Sequence, residues 1–443
     1  MTKIRVAFLT FYYEAWDALA SVHSLMLADP RFEVEVFVLP RRLTGDLHYD
    51  DASAASAFFS AAGIKHRVLS FEDSYQGLGV LRDWAPDYTF INYPWQRNYQ
   101  PAFRVDELIK FTRVAYVPYY SLPLTNEPAD GNGVASHLYT QRSHQLASLI
   151  FTQDEFVRAA YANTSRGNAH VHFVGSPKID ALIAAAGGAA AHSAATAIVG
   201  ASGGHSITPR GERLQLVWAP HHSYSPHWLN FGVFAQMHIQ MLAWARDHQE
   251  LDVIMRPHPF LFGTLVDRGV LTATELAEWR QAWDELPNTS IDSESSAGQI
   301  LAKADLLLTD GISFLAEYPL ATGKPAVFIE KSGHWPLSPI GEIAAAANVC
   351  LRTFDEFVAG FDYLIEAGLP NRATEIAALR EAAMPFGVGG SAPKIIEIVV
   401  NDFVRGAGVD ENGQGLGPSP LVDPSVVTET AWERQPGREP IND

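Results

Sequence analysis

Apolar positions along the chain alternate between the signatures of buried strands and of helices. Ile4–Phe8 reads as a buried strand, and the apolar stripe at Trp16, Leu19, Val22, Met26 and Leu27 that follows has helical spacing. Val34–Leu39 predicts a second strand, stopped by Pro40. Lys65–Leu69, Tyr88–Asn92, Ala115–Val117, Leu149–Thr152 and His172–Val174 are further short β-rich runs, with helical patterns between several of them. Such alternation predicts a parallel sheet with helices on both faces.

The pattern breaks at about 184–210, where Ala, Gly and Ser dominate and little is left to build a core. It then restarts. Leu214–Trp218, Leu251–Met255, Asp305–Thr309 and Ala326–Ile329 predict strands, and Phe231, Phe234, Met237, Met241, Leu242 and Ala245 mark an amphipathic helix. Ser391–Val404 predicts a last helix, and beyond Gly406 no periodicity survives. The expected organisation is a Rossmann-like domain over 1–184, a connection over 185–211, a second Rossmann-like domain over 212–405 and a disordered tail over 406–443. Two doubly wound domains in series imply a cleft between the carboxyl ends of their strands, where open α/β sheets bind ligands.

Composition narrows the classes. The 443-residue chain is 47% hydrophobic and 19% charged, as globular proteins are, and its length suits two domains. A net charge of −18 argues against nucleic-acid binding and against tight docking on anionic lipid, leaving room for weak peripheral association with a membrane. Cys350 is the single cysteine, expected as a small buried hydrophobe, and the N-terminus lacks a signal-peptide pattern, so a cytoplasmic setting is expected.

Candidate chemistry lies after the predicted strands. Thr309-Asp310-Gly311-Ile312-Ser313 ends a buried strand in a tight turn that opens a helix. The free N–H groups and dipole of such a helix start favour an anion, and Ser313 adds a hydroxyl. Read alone, the segment is equally an ordinary turn with Asp310 as cap. Gly323-Lys324-Pro325, one helix later, is expected to bring Lys324 to the same sheet edge. Arg256-Pro257-His258-Pro259 follows another strand. Its prolines stiffen the turn, Arg256 can pair with phosphate, and His258 can bind phosphate or move a proton. His221 and His222 follow Leu214–Trp218, without the spacing of a metal site. His238 and His248 read as surface residues of a helix.

In the first half the strand ends carry Tyr12-Tyr13-Glu14-Ala15-Trp16, Asn92-Tyr93-Pro94-Trp95 and Pro118-Tyr119-Tyr120-Ser121. Aromatic rings with polar tips suit a polyol or sugar, and they equally suit half-buried packing. Fingerprints for dinucleotide binding, for P-loop nucleotide hydrolysis and for a nucleophile elbow are absent.

The second half resembles the CDP-glycerol glycerophosphotransferases, the teichoic-acid and capsule polymerases and primases of GT-B fold. The resemblance runs through Gly175-Ser176-Pro177-Lys178-Ile179-Asp180-Ala181-Leu182, Trp218-Ala219-Pro220, Arg256-Pro257-His258-Pro259, Thr309–Ser313, Gly323-Lys324-Pro325 and Phe386–Ser391. It implies a GT-B fold with a nucleotide-donor domain in the second half. A nucleoside-diphosphate-linked donor (CDP or UDP) would meet a glycan or glycolipid acceptor at the inner face of a membrane, with no cofactor and no metal. Arg256, His258, Asp310 and Ser313 would hold the donor pyrophosphate, with Thr309, Gly311 and Lys324 beside them. The family's catalytic histidine after a first-domain strand is replaced by Tyr119-Tyr120. The base therefore falls to Tyr120, Glu14, His222 or His258, and Tyr13, Trp16 and Tyr119 are the acceptor-side candidates. Thr309-Asp310-Gly311 with Glu317, and Gly175 with Asp180, are also similar to the UDP-GlcNAc 2-epimerases, whose carboxylate signature is missing after Ala115–Val117. A nucleotide-sugar-binding protein without catalysis is the third alternative.

Overall fold

A computed structural model describes residues 3–42, 48–128, 138–187, 207, 213–293, 297–406 and 421–422. The chain forms two parallel-sheet, doubly wound Rossmann-like domains, as the alternating pattern predicts. The first sheet contains β1 (Ile4–Thr10), β2 (Phe32–Val38), β3 (His66–Val68), β4 (Tyr88–Ile91), β5 (Arg113–Tyr116), β6 (Leu149–Thr152) and β7 (Val171–Phe173), in the order β3-β2-β1-β4-β5-β6-β7. The second contains β8 (Leu214–Ala219), β9 (Leu251–Met255), β10 (Thr289–Ile291), β11 (Leu306–Thr309), β12 (Val327–Ile329) and β13 (Val349–Leu351), in the order β10-β9-β8-β11-β12-β13. β10 and β13 escaped the periodicity because both are three-residue edge strands with no fully buried position. Cys350 lies exposed on β13, which corrects its expected burial.

Strand order reverses between β1 and β4 in the first sheet and between β8 and β11 in the second. Each reversal is a switch point, where the connections on either side leave in opposite directions and open a crevice at the carboxyl edge. In the first domain, alternate residues of β1 feed two apolar layers. Ala7 and Leu9 pack with the Ser74–Trp84 helix, while Val6 and Phe8 pack with the Asp17–Ala28 helix. That split is what a period of two does when helices cover both faces.

The chain divides in a way the linear pattern does not show. Of the described residues, one compact unit comprises those within 3–121, 138–181 and 384–422, and the other those within 122–128 and 182–383. The last helix, Ser391–Gly406, therefore groups with the first unit, where Ile395, Ile396 and Val399 join the core beside Phe8 and Tyr88. A latch fixes its start. The carboxylate of Asp180 accepts the main-chain N–H of Gly389 (2.8 Å) and of Ser391 (3.0 Å). Gly175 sits at φ +81°, where a Cβ would lie 2.8 Å from the Ser391 hydroxyl, so only glycine fits beneath the latch. Two of the quoted sequence motifs thus meet as one structural joint. The segment 122–128 belongs to the second unit, where Thr125 pairs with Leu337 and the Ser338 hydroxyl donates to Pro123 O at 2.6 Å.

Most of the Ala/Gly/Ser-rich connection and of the tail expected to be disordered lies outside the described residues. Among the described residues no helix is long and apolar enough to cross a membrane.

Candidate functional site

The switch point of the second sheet collects the sharpest sequence candidates. β8 runs out into Pro220-His221-His222-Ser223, and β11 into Asp310-Gly311-Ile312-Ser313. Two side chains tie these loops together. The Thr309 hydroxyl donates to Ala219 O (2.7 Å) and accepts the Gly311 N–H (2.8 Å). Asp310 accepts the main-chain N–H of His221 (2.7 Å) through one oxygen and that of Val233 (2.6 Å) through the other. Thr309 and Asp310 were expected to contact donor phosphate. Both are buried and bonded to main chain, and Asp310 would bring a carboxylate towards an anion. They shape the crevice instead. Burial pushes the Asp310 carboxyl up to about 7 against the pull of those N–H groups and of Lys331.

With the loop held, the helix Phe314–Thr322 starts at the crevice. Among the described residues the N–H groups of Ile312, Ser313 and Phe314 have no acceptor, and Ser313 makes no side-chain cap. A helix start of this kind presents partial positive charge to an anion. Gly311 makes the approach close: a Cβ there would meet the Thr309 hydroxyl at 3.0 Å and Ala219 O at 3.5 Å.

Arg256 and His258 leave β9, the neighbour of β8. Main-chain bonds from Arg256 N to Trp218 O (2.7 Å) and from His258 N to Pro220 O (3.1 Å) lash the two loops together. One guanidinium nitrogen of Arg256 faces Asp292, 3.1 Å from its carbonyl and 3.3 Å from its carboxylate. Burial lowers the Arg256 pKa, and Asp292 opposes that shift. His258 stacks on His222 with ring centroids 3.9 Å apart and planes at 23°, and His221 lies 4.6 Å from His222. Burial pushes the His221 imidazole down to about 4 and that of His222 well below its usual range. Both are neutral at physiological pH. The structure therefore brings His258 and His222 together and links their loops by main-chain bonds, Asp310 ties the His221 loop to the turn of Gly311 and Ser313, and the Arg256 guanidinium turns towards Asp292.

Lys324 is not among them. It precedes β12, so it sits at the amino edge of the sheet, one helix length from the turn where that helix begins. The expectation that it shares an edge with Thr309–Ser313 is corrected by strand direction: a helix that starts at one edge of a parallel sheet ends at the other. The lysine at the carboxyl edge is Lys331, two residues beyond β12. Its ammonium donates to the Asn230 amide oxygen (2.8 Å) and stands over the Tyr224 ring at 5.5 Å. Burial lowers its pKa and Asp310 raises it. The predicted strand Ala326–Ile329 carried this signal, in the residues after it rather than before it. Asn230 and Leu229 hold φ of +60° and +55°, an uncommon conformation for both and a strained one for leucine. Asn230 pays for it by bonding Gly333 O at 3.0 Å. Among the described residues no cluster of His, Cys, Asp and Glu is placed to hold a metal. His238, expected at the surface, is buried and stacks on Phe234 at 5.2 Å.

The first sheet's switch point is aromatic. Tyr12, Tyr93 and Tyr119 pack with centroids 5.2 to 5.9 Å apart, and Asn92 reaches across to Ala15 O at 3.1 Å. Trp16 is not an acceptor-side residue. It is buried in the core against Phe8, His23 and Phe59, because helix periodicity turns it inward. Glu14 is ion-paired with Arg41, whose guanidinium also lies over Tyr13 at 5.3 Å. Tyr120 is a poor base: burial and the neighbouring phenols of Tyr139 and Tyr119 drive its pKa well above the ordinary range, so it stays protonated. Tyr13 and Tyr119 are half-buried, with part of each ring open to solvent.

No protein-family model matches the sequence, and no curated protein does. Solved structures do. The UDP-GlcNAc 2-epimerase from Neisseria meningitidis, solved bound to UDP-GlcNAc, is 15% identical with a TM-score of 0.54, covering 90% of this chain and 100% of that one. Another UDP-N-acetylglucosamine 2-epimerase gives 13%, 0.57, 96% and 100%. The wall teichoic acid polymerase TagF gives 10%, 0.51, 90% and 89%. The fold is that of these GT-B enzymes. Identities this low carry the fold and no more.

Proposed function

We propose that the protein is a GT-B transferase. Its donor is a nucleoside-diphosphate-linked group of CDP-glycerol type. It passes a glycerophosphate, another polyol phosphate or a glycosyl unit to a glycan or glycolipid acceptor. The observation that carries this reading is a helix start at the second switch point whose first three N–H groups have no acceptor among the described residues, one loop away from the main-chain-linked loops of His222 and His258. Likeness of fold to enzymes solved with UDP-GlcNAc or CDPG supports a nucleotide-linked ligand.

In this reading the N–H groups of Ile312, Ser313 and Phe314 and the guanidinium of Arg256 bind the pyrophosphate. They stabilise the charge that grows on the leaving phosphate. Ser313 adds a hydroxyl donor, and Lys331 supplies the second fixed cation. With a CDP-glycerol-type donor the acceptor hydroxyl attacks the distal phosphorus and the nucleoside monophosphate leaves. With a glycosyl donor it attacks the anomeric carbon and the diphosphate leaves. His258 is the group best placed beside the phosphate to exchange a proton in either case. Tyr13 and Tyr119 are assigned to the acceptor, through ring faces and hydroxyls.

The test is nucleotide release from a panel of CDP- and UDP-linked donors, with and without glycan and glycolipid acceptors. Acceptor-dependent release is expected. Interconversion of UDP-GlcNAc with its 2-epimer and no release would instead identify an epimerase. Binding with no turnover on any acceptor would identify a binding protein.

A further inference from the structure

The imidazoles at the second switch point raise a question that phosphate binding alone does not answer. His221, His222 and His258 form one cluster, with centroid separations of 4.6, 3.9 and 5.5 Å. Their surroundings are unequal. His221 accepts the Ser223 N–H through Nδ1 and contacts its hydroxyl at 2.8 Å, so its ring is fixed by a neutral network. His258 accepts the Phe260 N–H at Nδ1 (3.2 Å). His222 is nine-tenths buried and its Nδ1 has no hydrogen-bond partner. A buried ring nitrogen without a partner carries a desolvation cost.

The charges around the cluster come from every side. Arg256 shares the loop of His258 and pairs with Asp292. Arg268, at the end of the Leu261–Asp267 helix, acts on His222 from beyond Phe260. Asp310 binds the His221 N–H, and Lys331 and Tyr224 stand next to Asp310. Burial first, and then His258, His221 and Arg268, lower the pKa of the His222 imidazole. A bound pyrophosphate adds negative charge beside the cluster, and a stacked imidazole pair at its edge then gains by holding a proton.

We infer that the His222–His258 stack is a ligand-charged anion site: a nucleoside diphosphate docks beside the stacked imidazoles, and its arrival draws one proton from solvent onto the stack. The proton passes from the buffer acid to an imidazole nitrogen, leaving the buffer base, with no other bond changed. The stack thus favours a pyrophosphate over a neutral polyol, because only the anion stabilises the extra proton. It also sets the acid for the leaving phosphate before chemistry begins. This inference rests on the donor-site reading above.

The experiment is calorimetric titration of CDP and UDP into the full chain at pH about 7.5, where a phosphomonoester is already mostly a dianion. It is run in buffers of widely different ionisation enthalpy. The observed enthalpy should vary linearly with buffer ionisation enthalpy, with a slope equivalent to uptake of about one proton, and affinity should strengthen up to about tenfold per pH unit from pH 8 towards pH 6. In His222→Asn and His258→Asn the slope should fall towards zero while weaker binding persists through Arg256 and the helix start. Wild-type binding with a buffer-independent enthalpy overturns the inference and leaves the donor-site reading standing. Absence of binding by both nucleotides overturns the two together.

Discussion

The two switch points share a plan and differ in chemistry. In each, a side chain just beyond or near the end of the strand that follows the reversal reaches back to the loop after the domain's first strand. Asn92 donates to Ala15 O, and Asp310 accepts from His221 N. In the first domain this framework displays phenols and ring faces: Tyr12, Tyr93 and Tyr119. In the second it displays main-chain N–H groups, a guanidinium, imidazoles and an ammonium. One edge suits hydroxyl-rich, uncharged chemistry and the other suits a polyanion. The same supersecondary device therefore positions two chemistries, and what decides between them is which residues occupy a few positions past the strands.

The comparison can be broken most severely through its supports. Trp16→Ala should destabilise the first domain by about 3–5 kcal/mol, as loss of a buried indole does, without weakening nucleotide binding by the folded fraction. Calorimetric or denaturant unfolding beside a nucleotide titration checks both halves. An acceptor-side Trp16 would instead leave stability nearly unchanged and cost acceptor-dependent turnover. Asp310→Ala leaves two buried N–H groups without acceptors, at about 1–3 kcal/mol each, so the variant should lose thermal stability as well as nucleotide affinity. A variant that keeps its full melting temperature would show that Asp310 is no clamp.

Acid strikes both domains. His144 and His170 in the first domain are pushed down to about 3 by burial, and His221 to about 4. Each is depressed below its unfolded value of 6.5, so the unfolded chain takes up protons first as pH falls below 6.5, and stability is lost down to about 3 to 4. Each imidazole should cost roughly 2 kcal/mol by pH 5. Asp310, raised from 3.8 to about 7, works the other way, because its folded form gains its proton earlier in that window. The histidines outnumber it, so the melting temperature should drop between pH 7 and pH 5, and a flat profile would contradict the burial argument.

Arg256→Ala should weaken nucleoside-diphosphate binding by about 10- to 100-fold, the range of a lost charge-assisted hydrogen bond. The smallest effect is also the most discriminating. Lys331→Met should lower affinity by a few fold to about tenfold, while Lys324→Met should leave it unchanged. The reverse order would return Lys324 to the site.

Much of this was legible in the sequence. Leu149–Thr152 is legible with its limits because a strand buried on both faces is an apolar run cut off by polar residues, and Leu251–Met255 because its burial alternates and Arg256-Pro257 ends it. The helix start after Thr309 was found because a tight turn after such a run needs Gly311. What periodicity cannot carry is partnership at a distance. The return of Ser391–Gly406 to the first domain depends on a carboxylate 211 residues away, at Asp180. Strand direction was overlooked at Gly323-Lys324-Pro325, although it follows from parallel topology, and it moves the lysine of interest to Lys331. Thr309 and Asp310 show a second limit of sequence reading. Polar residues after a strand can face a ligand or bond the neighbouring loop, and only the geometry separates the two.

The most direct test of the central claim is to locate the phosphates. A crystal of the full chain soaked with CDP or UDP should show the diphosphate within hydrogen-bond distance of the N–H groups of Ile312, Ser313 and Phe314, with Arg256 and His258 alongside. A diphosphate bound anywhere else on the molecule, with that helix start left to water, would contradict it.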